Sequence, residues 1–203
     1  PNENYAREFL ELFTILKGPQ ISAENYTNYT ELDVQQAARV FTGFRKQNDR
    51  SIIDEDTNLP KGYNDINKHD LNNKIFSPAF NNHEIIGQST EEGMDQELDD
   101  FVEMVFNQPE TARSYCRKLY KFFVKSEWDD EVELEVIEPL SQQLINDNFN
   151  ILPTVITLLS SKHFFDQADD IDSDEIVGSI VKSPPQLVNE IITFFQISIP
   201  DPN

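Results

Sequence analysis

Asn2-Glu-Asn-Tyr-Ala-Arg-Glu-Phe-Leu-Glu-Leu-Phe-Thr14 and Tyr29-Thr-Glu-Leu-Asp-Val-Gln-Gln-Ala-Ala-Arg-Val-Phe-Thr-Gly-Phe44 decide the fold of this chain. In the first run, Tyr5, Phe9, Leu12, Phe13 and Leu16 recur at helical spacing. That spacing predicts an amphipathic helix with these side chains on its buried side. Glu3, Arg7 and Glu11 alternate in sign along the other side, where neighbours a turn apart attract. Gly18-Pro19 stops the helix. In the second run, Thr30 is a good N-cap and Asp33 stands where a capping carboxylate belongs. Val34, Ala37, Ala38, Phe41 and Phe44 form its apolar stripe, and Gly43 sits near its end as a stop.

Outward from this pair, residues 45–90 read as one long polar excursion, rich in Asn and Asp, holding at most a short β-hairpin. Its β-prone pieces are Ile52-Ile53, Lys74-Ile75-Phe76 and Glu84-Ile85-Ile86. Helical periodicity returns at Glu92, with Met94, Leu98, Phe101, Val102 and Val105 as its stripe. Pro109 opens the next helix, which turns Ala112, Tyr115, Cys116, Leu119 and Phe123 inward. Further helices are expected over 131–146, with Pro139 as a kink or new start, and over 152–161, 175–181 and 186–195. The fold expected is mainly α: a single irregular multi-helix domain over 1–203, interrupted by the 45–90 loop.

These stretches resemble the bacterial family known as domain of unknown function 1800. The resemblance rests on the two opening runs and continues through His69-Asp70 with Lys74, Thr111-Ala112-Arg113 and Lys118-Leu119-Tyr120-Lys121-Phe122-Phe123. It ends with Leu158-Leu-Ser-Ser-Lys-His-Phe-Phe165 and Val181-Lys-Ser-Pro184. It implies that the chain is a fragment of a longer helical protein. Because such proteins often carry export signals, it also implies a periplasmic, cell-envelope or secreted location.

Charge narrows the partners. Sixteen basic residues face 37 acidic ones, a net charge of −21. That balance disfavours nucleic acid and anionic membranes, which need clustered Lys and Arg. No apolar stretch is long enough to span a bilayer. The single Cys116 excludes an internal disulfide framework. Known catalytic loops are missing: there is no Gly-x-Ser-x-Gly elbow and no Gly-rich phosphate loop. His83-Glu84-Ile-Ile-Gly87 lacks the second histidine of a zinc-protease helix.

Three constellations remain as candidate sites. The first joins His69 and Asp70 with Arg7, Glu8, Glu11, Asp33 and Arg39. Such a set could ligate a divalent cation or perform acid–base chemistry, with His69, Asp70 and Glu8 as the catalytic candidates. Its structural reading, the favoured one, is a buried ion-pair network that clamps the helices and ties down the loop. The second is Arg113, Arg117 and Lys121, one face of a basic helix that could hold an anion or pair with the acidic helix before it. The third comprises Asp54-x-Asp56-x-Asn58 and Asp170-x-Asp172-x-Asp174, which alternate oxygen ligands as calcium loops do but lack the turn glycine.

The leading functional expectation is a non-catalytic binding or structural module. Its partner would be the remainder of its own polypeptide or another envelope protein. The alternatives are a metal-assisted hydrolase built on the His69 cluster and a calcium-stabilised extracellular scaffold. No cofactor follows from the sequence beyond the divalent cation these alternatives would take.

Overall fold

The computed structural model describes residues 2–165 and 183–197. It is a mainly helical structure with short two-stranded sheets. Helix α1 (Asn2–Glu8) runs into a π-helical turn, Phe9–Phe13, and α2 spans Glu31–Val40. Between them β1 (Gln20–Ser22) pairs antiparallel with β2 (Asn25–Tyr26). The 45–90 excursion is more regular than its composition suggests, because it holds two hairpins. Strand β3 (Phe44–Lys46) pairs with β4 (Gly62–Asn64), and β5 (Lys74–Ile75) with β6 (Glu84–Ile85). The β5–β6 pieces were legible as β-prone runs, whereas Ile53 makes only an isolated bridge to Pro60.

Helices α3 (Glu91–Phe106) and α4 (Pro109–Phe123) follow, the second opened by proline at its first position as expected. Then come α5 (Asp130–Val132), a π-helical turn over Glu133–Ile137, and α6 (Glu138–Asn146). Pro139 sits in the first turn of α6, immediately after the π-helical turn. Lacking an N–H, it cannot continue the ladder of the preceding helix. Helices α7 (Ile151–Leu159) and α8 (Pro184–Phe194) complete the set. The helix expected over 175–181 lies outside the described residues.

Two apolar clusters organise the body. One gathers Leu10 of the π turn, Tyr29 just before α2, Val34 of α2, Phe76 and Phe80 of the β5–β6 hairpin, and Phe101 and Val105 of α3. The other gathers Ala112, Cys116, Tyr120, Ile137, Leu144 and Leu158 from α4, α6, α7 and the π turn before α6. Buried hydrogen bonds tie them together: Thr111 Oγ1 donates to the Val105 carbonyl at 2.6 Å, and Ser114 Oγ donates to that of Thr14.

The buried face of α1 differs from the one its periodicity predicts. Tyr5, Leu12 and Phe13 are 56, 51 and 58% exposed, while Ala6, Leu10, Thr14 and Ile15 are sealed. The stripe is rotated by about one residue, roughly 100° on a helix. Ala6 presents a small side chain to the cluster that includes Val34 and Ala37 of α2, and small residues let helix axes approach closely. The π turn then widens the helix and changes the phase of everything after Glu8.

Candidate functional site

The candidate cluster is built where α2 ends. Gly43 adopts φ +83° and turns the chain out of the helix. A Cβ there would lie 2.7 Å from Met94 Cε and 2.8 Å from the Asp65 carbonyl oxygen, so only glycine fits the crossing. Just before it, Thr42 Oγ1 donates to the Arg39 carbonyl (2.6 Å) and accepts the Asp70 N–H (2.8 Å). His69 Nδ1 lies 2.8 Å from the Thr42 carbonyl. A carbonyl only accepts, so Nδ1 carries the proton of that bond.

The other ring nitrogen points inward. His69 Nε2 lies 3.2 Å from Glu97 Oε1 but is misaligned, and it has no hydrogen-bond partner. Glu97 Oε1 accepts the Gln88 N–H at 2.5 Å, and Glu97 Oε2 faces Lys74 Nζ in a short ion pair. Lys74 Nζ also donates to the Asp70 carbonyl at 2.5 Å. The three side chains are sealed: His69 and Lys74 are 0% exposed and Glu97 1%. A buried ammonium and carboxylate persist together because each would be costly alone. The trio joins the loop after β4, strand β5 and helix α3.

Of the remaining members of the sequence-derived set, Arg39 and Asp70 pair with each other, and Arg7, Glu11 and Asp33 take other partners. Arg39 Nε donates to Asp70 Oδ2 at 2.8 Å. That bond, outweighing partial burial and helped by Asn72, holds the Asp70 carboxyl well below its usual range. Arg7 Nη2 donates to both oxygens of Glu31, at 2.9 and 2.8 Å, linking α1 to α2. Glu11 pairs with Lys17 at 2.7 Å and accepts the Tyr29 hydroxyl at 3.0 Å. Burial, then that bond to Glu11, raises the Tyr29 phenol above its ordinary value. Asp33 is fully buried, and its carboxylate accepts four hydrogen bonds. Two come from Thr30 N–H and Oγ1 (2.7 and 2.8 Å) and two from Ser77 N–H and Oγ (both 2.7 Å). The cap expected from sequence is thus also the anchor of the loop after β5. Glu8 is half-buried within α1.

Arg113 and Arg117 are ion-paired, though with the helical segments that follow them rather than with α3. Arg113 forks onto Glu138 at 2.6 and 3.1 Å, and Arg117 contacts Glu133 at 2.9 and 2.6 Å. Both also reach Glu110 of their own helix. The Arg113 bond, opposed by slight burial, lowers the Glu138 carboxyl from its usual value. Lys121 is exposed.

Of the calcium candidates, Asp54 Oδ1 accepts the Thr57 N–H and hydroxyl, both at 2.9 Å, and Asn58 takes φ +55° in the same turn. Asp56 is exposed beside it. Asp170, Asp172 and Asp174 lie outside the described residues. Among the described residues, no group of three or more His, Cys, Asp or Glu side chains could hold a metal ion.

Sequence reasoning missed Glu97, which stands outside the apolar stripe read for α3. The signal was present: Met94, Glu97, Phe101 and Met104 follow helical steps, and all four are buried. Lys74, read only as part of a motif, is the counter-charge of Glu97, but its burial depends on a strand pairing that spacing does not reveal. His83 likewise meets Asp100 at 2.9 Å, and His163 Nε2 lies 2.9 Å from the Tyr120 hydroxyl.

Comparison with known proteins adds one match. The family described as Protein of unknown function (DUF1800) matches residues 1–199. No curated protein and no solved structure matches the chain.

Proposed function

Since this chain belongs to the DUF1800 family, whose description records no activity, we propose its function from geometry: a non-catalytic binding module that docks an apolar polypeptide surface. The observation that carries this reading is where the helices put their apolar side chains. Leu12 and Phe13 are 51 and 58% exposed on the π turn, and Phe122 is 72% exposed on α4. On α7, Leu152 and Ile156 are 64 and 55% exposed. Contiguous apolar surface marks interaction sites, and these side chains are the ones we assign to it. The polar residues that looked most chemical are meanwhile engaged in holding the body together. His69, the natural acid–base group, is closed off from solvent and has one carboxylate, that of Glu97, within reach.

The partner we favour is another part of the same polypeptide or a second envelope protein, in an exported setting. The support for that setting is the family resemblance. Among the described residues, no helix is long and apolar enough to cross a membrane.

Hydroxyl-radical footprinting tests the reading. Leu12, Phe13, Leu152 and Ile156 should label strongly in the isolated domain and be protected in the protein as its host produces it. Equal labelling in both overturns the binding reading. Elemental analysis supplies the opposing arm: stoichiometric metal that disappears in His69→Ala would establish a metal-dependent site instead.

A further inference from the structure

The chain carries 37 acidic residues against 16 basic ones, so a cation should readily find a carboxylate. Several do: Arg7 pairs with Glu31, Lys17 with Glu11, Arg39 with Asp70, and Arg113 and Arg117 with Glu138 and Glu133. The β3–β4 hairpin gathers three that do not. Lys46, Arg50 and Lys61 are exposed and open onto a single concavity of about 500 Å³, shared with Gln47, Asn48, Pro60 and Gly62. No carboxylate lines it. Among the described residues, none of the three cations lies within the 4.0 Å of a carboxylate that defines an ion pair.

Backbone pairing creates the arrangement. Lys46 stands opposite Gly62 in the ladder, and Gly62 has no side chain to fill the space between them. The Lys61 N–H donates to the Ile52 carbonyl at 2.9 Å and the Ile53–Pro60 bridge closes the far end, bringing the two arms of the hairpin together around Arg50. The neighbouring carboxylates are held in their own turns. Asp49 accepts the Ser51 N–H and hydroxyl at 2.9 and 2.7 Å, and Asp54 accepts those of Thr57.

We propose that the β3–β4 hairpin forms a cradle for a phosphate group, with Lys46, Arg50 and Lys61 as its charges and Gln47 and Asn48 as amide donors. Donors arriving from several directions suit a compact tetrahedral oxyanion better than a planar carboxylate. The open mouth leaves room for an ester substituent to project into solvent. The surrounding negative field would repel a freely diffusing anion, so cations gathered on one concavity are what a specific anion would need here, although Lys61 also borders a neighbouring concavity that carries Glu91, Glu92 and Asp95. This inference is independent of the apolar docking surface.

The test is titration of the folded, isotope-labelled protein with inorganic phosphate and with glycerol 3-phosphate at low ionic strength, read by amide chemical shifts and calorimetry. Saturable binding with shifts confined to residues 46–50, 61 and 62 is expected. Lys46→Gln/Lys61→Gln should weaken it by tenfold or more, with the melting temperature unchanged. Lys125→Gln/Lys162→Gln, which removes the same charge elsewhere, should leave binding intact. Equal affinity for the two probes assigns an esterified phosphate, and tighter inorganic phosphate assigns the free anion. Absence of saturable binding, or an equal loss in the control variant, overturns the cradle.

Discussion

Replacing Glu97 by glutamine removes the carboxylate that faces Lys74 and His69 inside a sealed pocket. The change is nearly isosteric, so packing stays constant and electrostatics decides the outcome. Lys74 Nζ would keep the Asp70 carbonyl at 2.5 Å but lose its counter-charge, with no exposure through which water could replace it. Breaking a buried pair by removing one partner costs about 3–5 kcal/mol. Against a total stability on the order of 5–15 kcal/mol, that is a large fraction. Lys74→Met should cost less, because Glu97 Oε1 retains the Gln88 N–H. The double variant Lys74→Met/Glu97→Gln removes both charges and should be more stable than Glu97→Gln alone, since a buried pair is often replaceable as a unit. Urea unfolding followed by far-UV circular dichroism gives all three values, and the cycle yields their coupling. A cost for Glu97→Gln below about 1 kcal/mol, or strictly additive single changes, would show that the pocket admits water and that the trio is not a buried clamp.

Three further outcomes follow from the same geometry. Asp33→Ala strands the Thr30 and Ser77 donors and should cost about 1–3 kcal/mol, with amide exchange rising first around Ser77 in hydrogen-exchange measurements. Gly43→Ala forces a side chain into φ +83° and onto Met94 and Asp65; it should destabilise by more than about 1 kcal/mol in thermal melts. Acid should unfold the domain with a slope set by paired carboxylates. The Asp70 and Glu138 carboxyls are lowered from ordinary values of 3.8 and 4.5, so their contribution is complete above about those values and is lost as pH falls toward the folded ones. Arg39→Gln should flatten the stability–pH curve below about pH 4, and an unchanged slope would contradict the Asp70 assignment.

Much of the fold was legible because its signals are local. The Thr30–Asp33 cap, the Gly43 stop and the Pro109 start each act within one helical turn, and all are present in the structure. The β5–β6 pairing was half legible, since its two pieces have β propensity but their partnership spans the turn through Pro78–Phe80. The candidate site was legible only in outline. His69 and Asp70 stood out, yet they have different partners, and Glu97 lay outside the stripe read as buried. Arg113 and Arg117 were readable as ion-pairing residues, but helix order in the sequence pointed to the wrong acidic helix.

What the sequence by itself determined is most of the helices among the described residues and such local signals as the Thr30–Asp33 cap and the Pro109 start, because hydrogen bonding, capping and backbone freedom are settled among residues a few positions apart. Which face of α1 is buried, which carboxylate Lys74 meets, and which cations are left facing solvent were decided only by tertiary structure. A π turn rotates side chains by an amount that depends on what packs against them. A buried charge becomes tolerable only when a residue distant in the chain arrives to neutralise it, and no local pattern encodes that arrival.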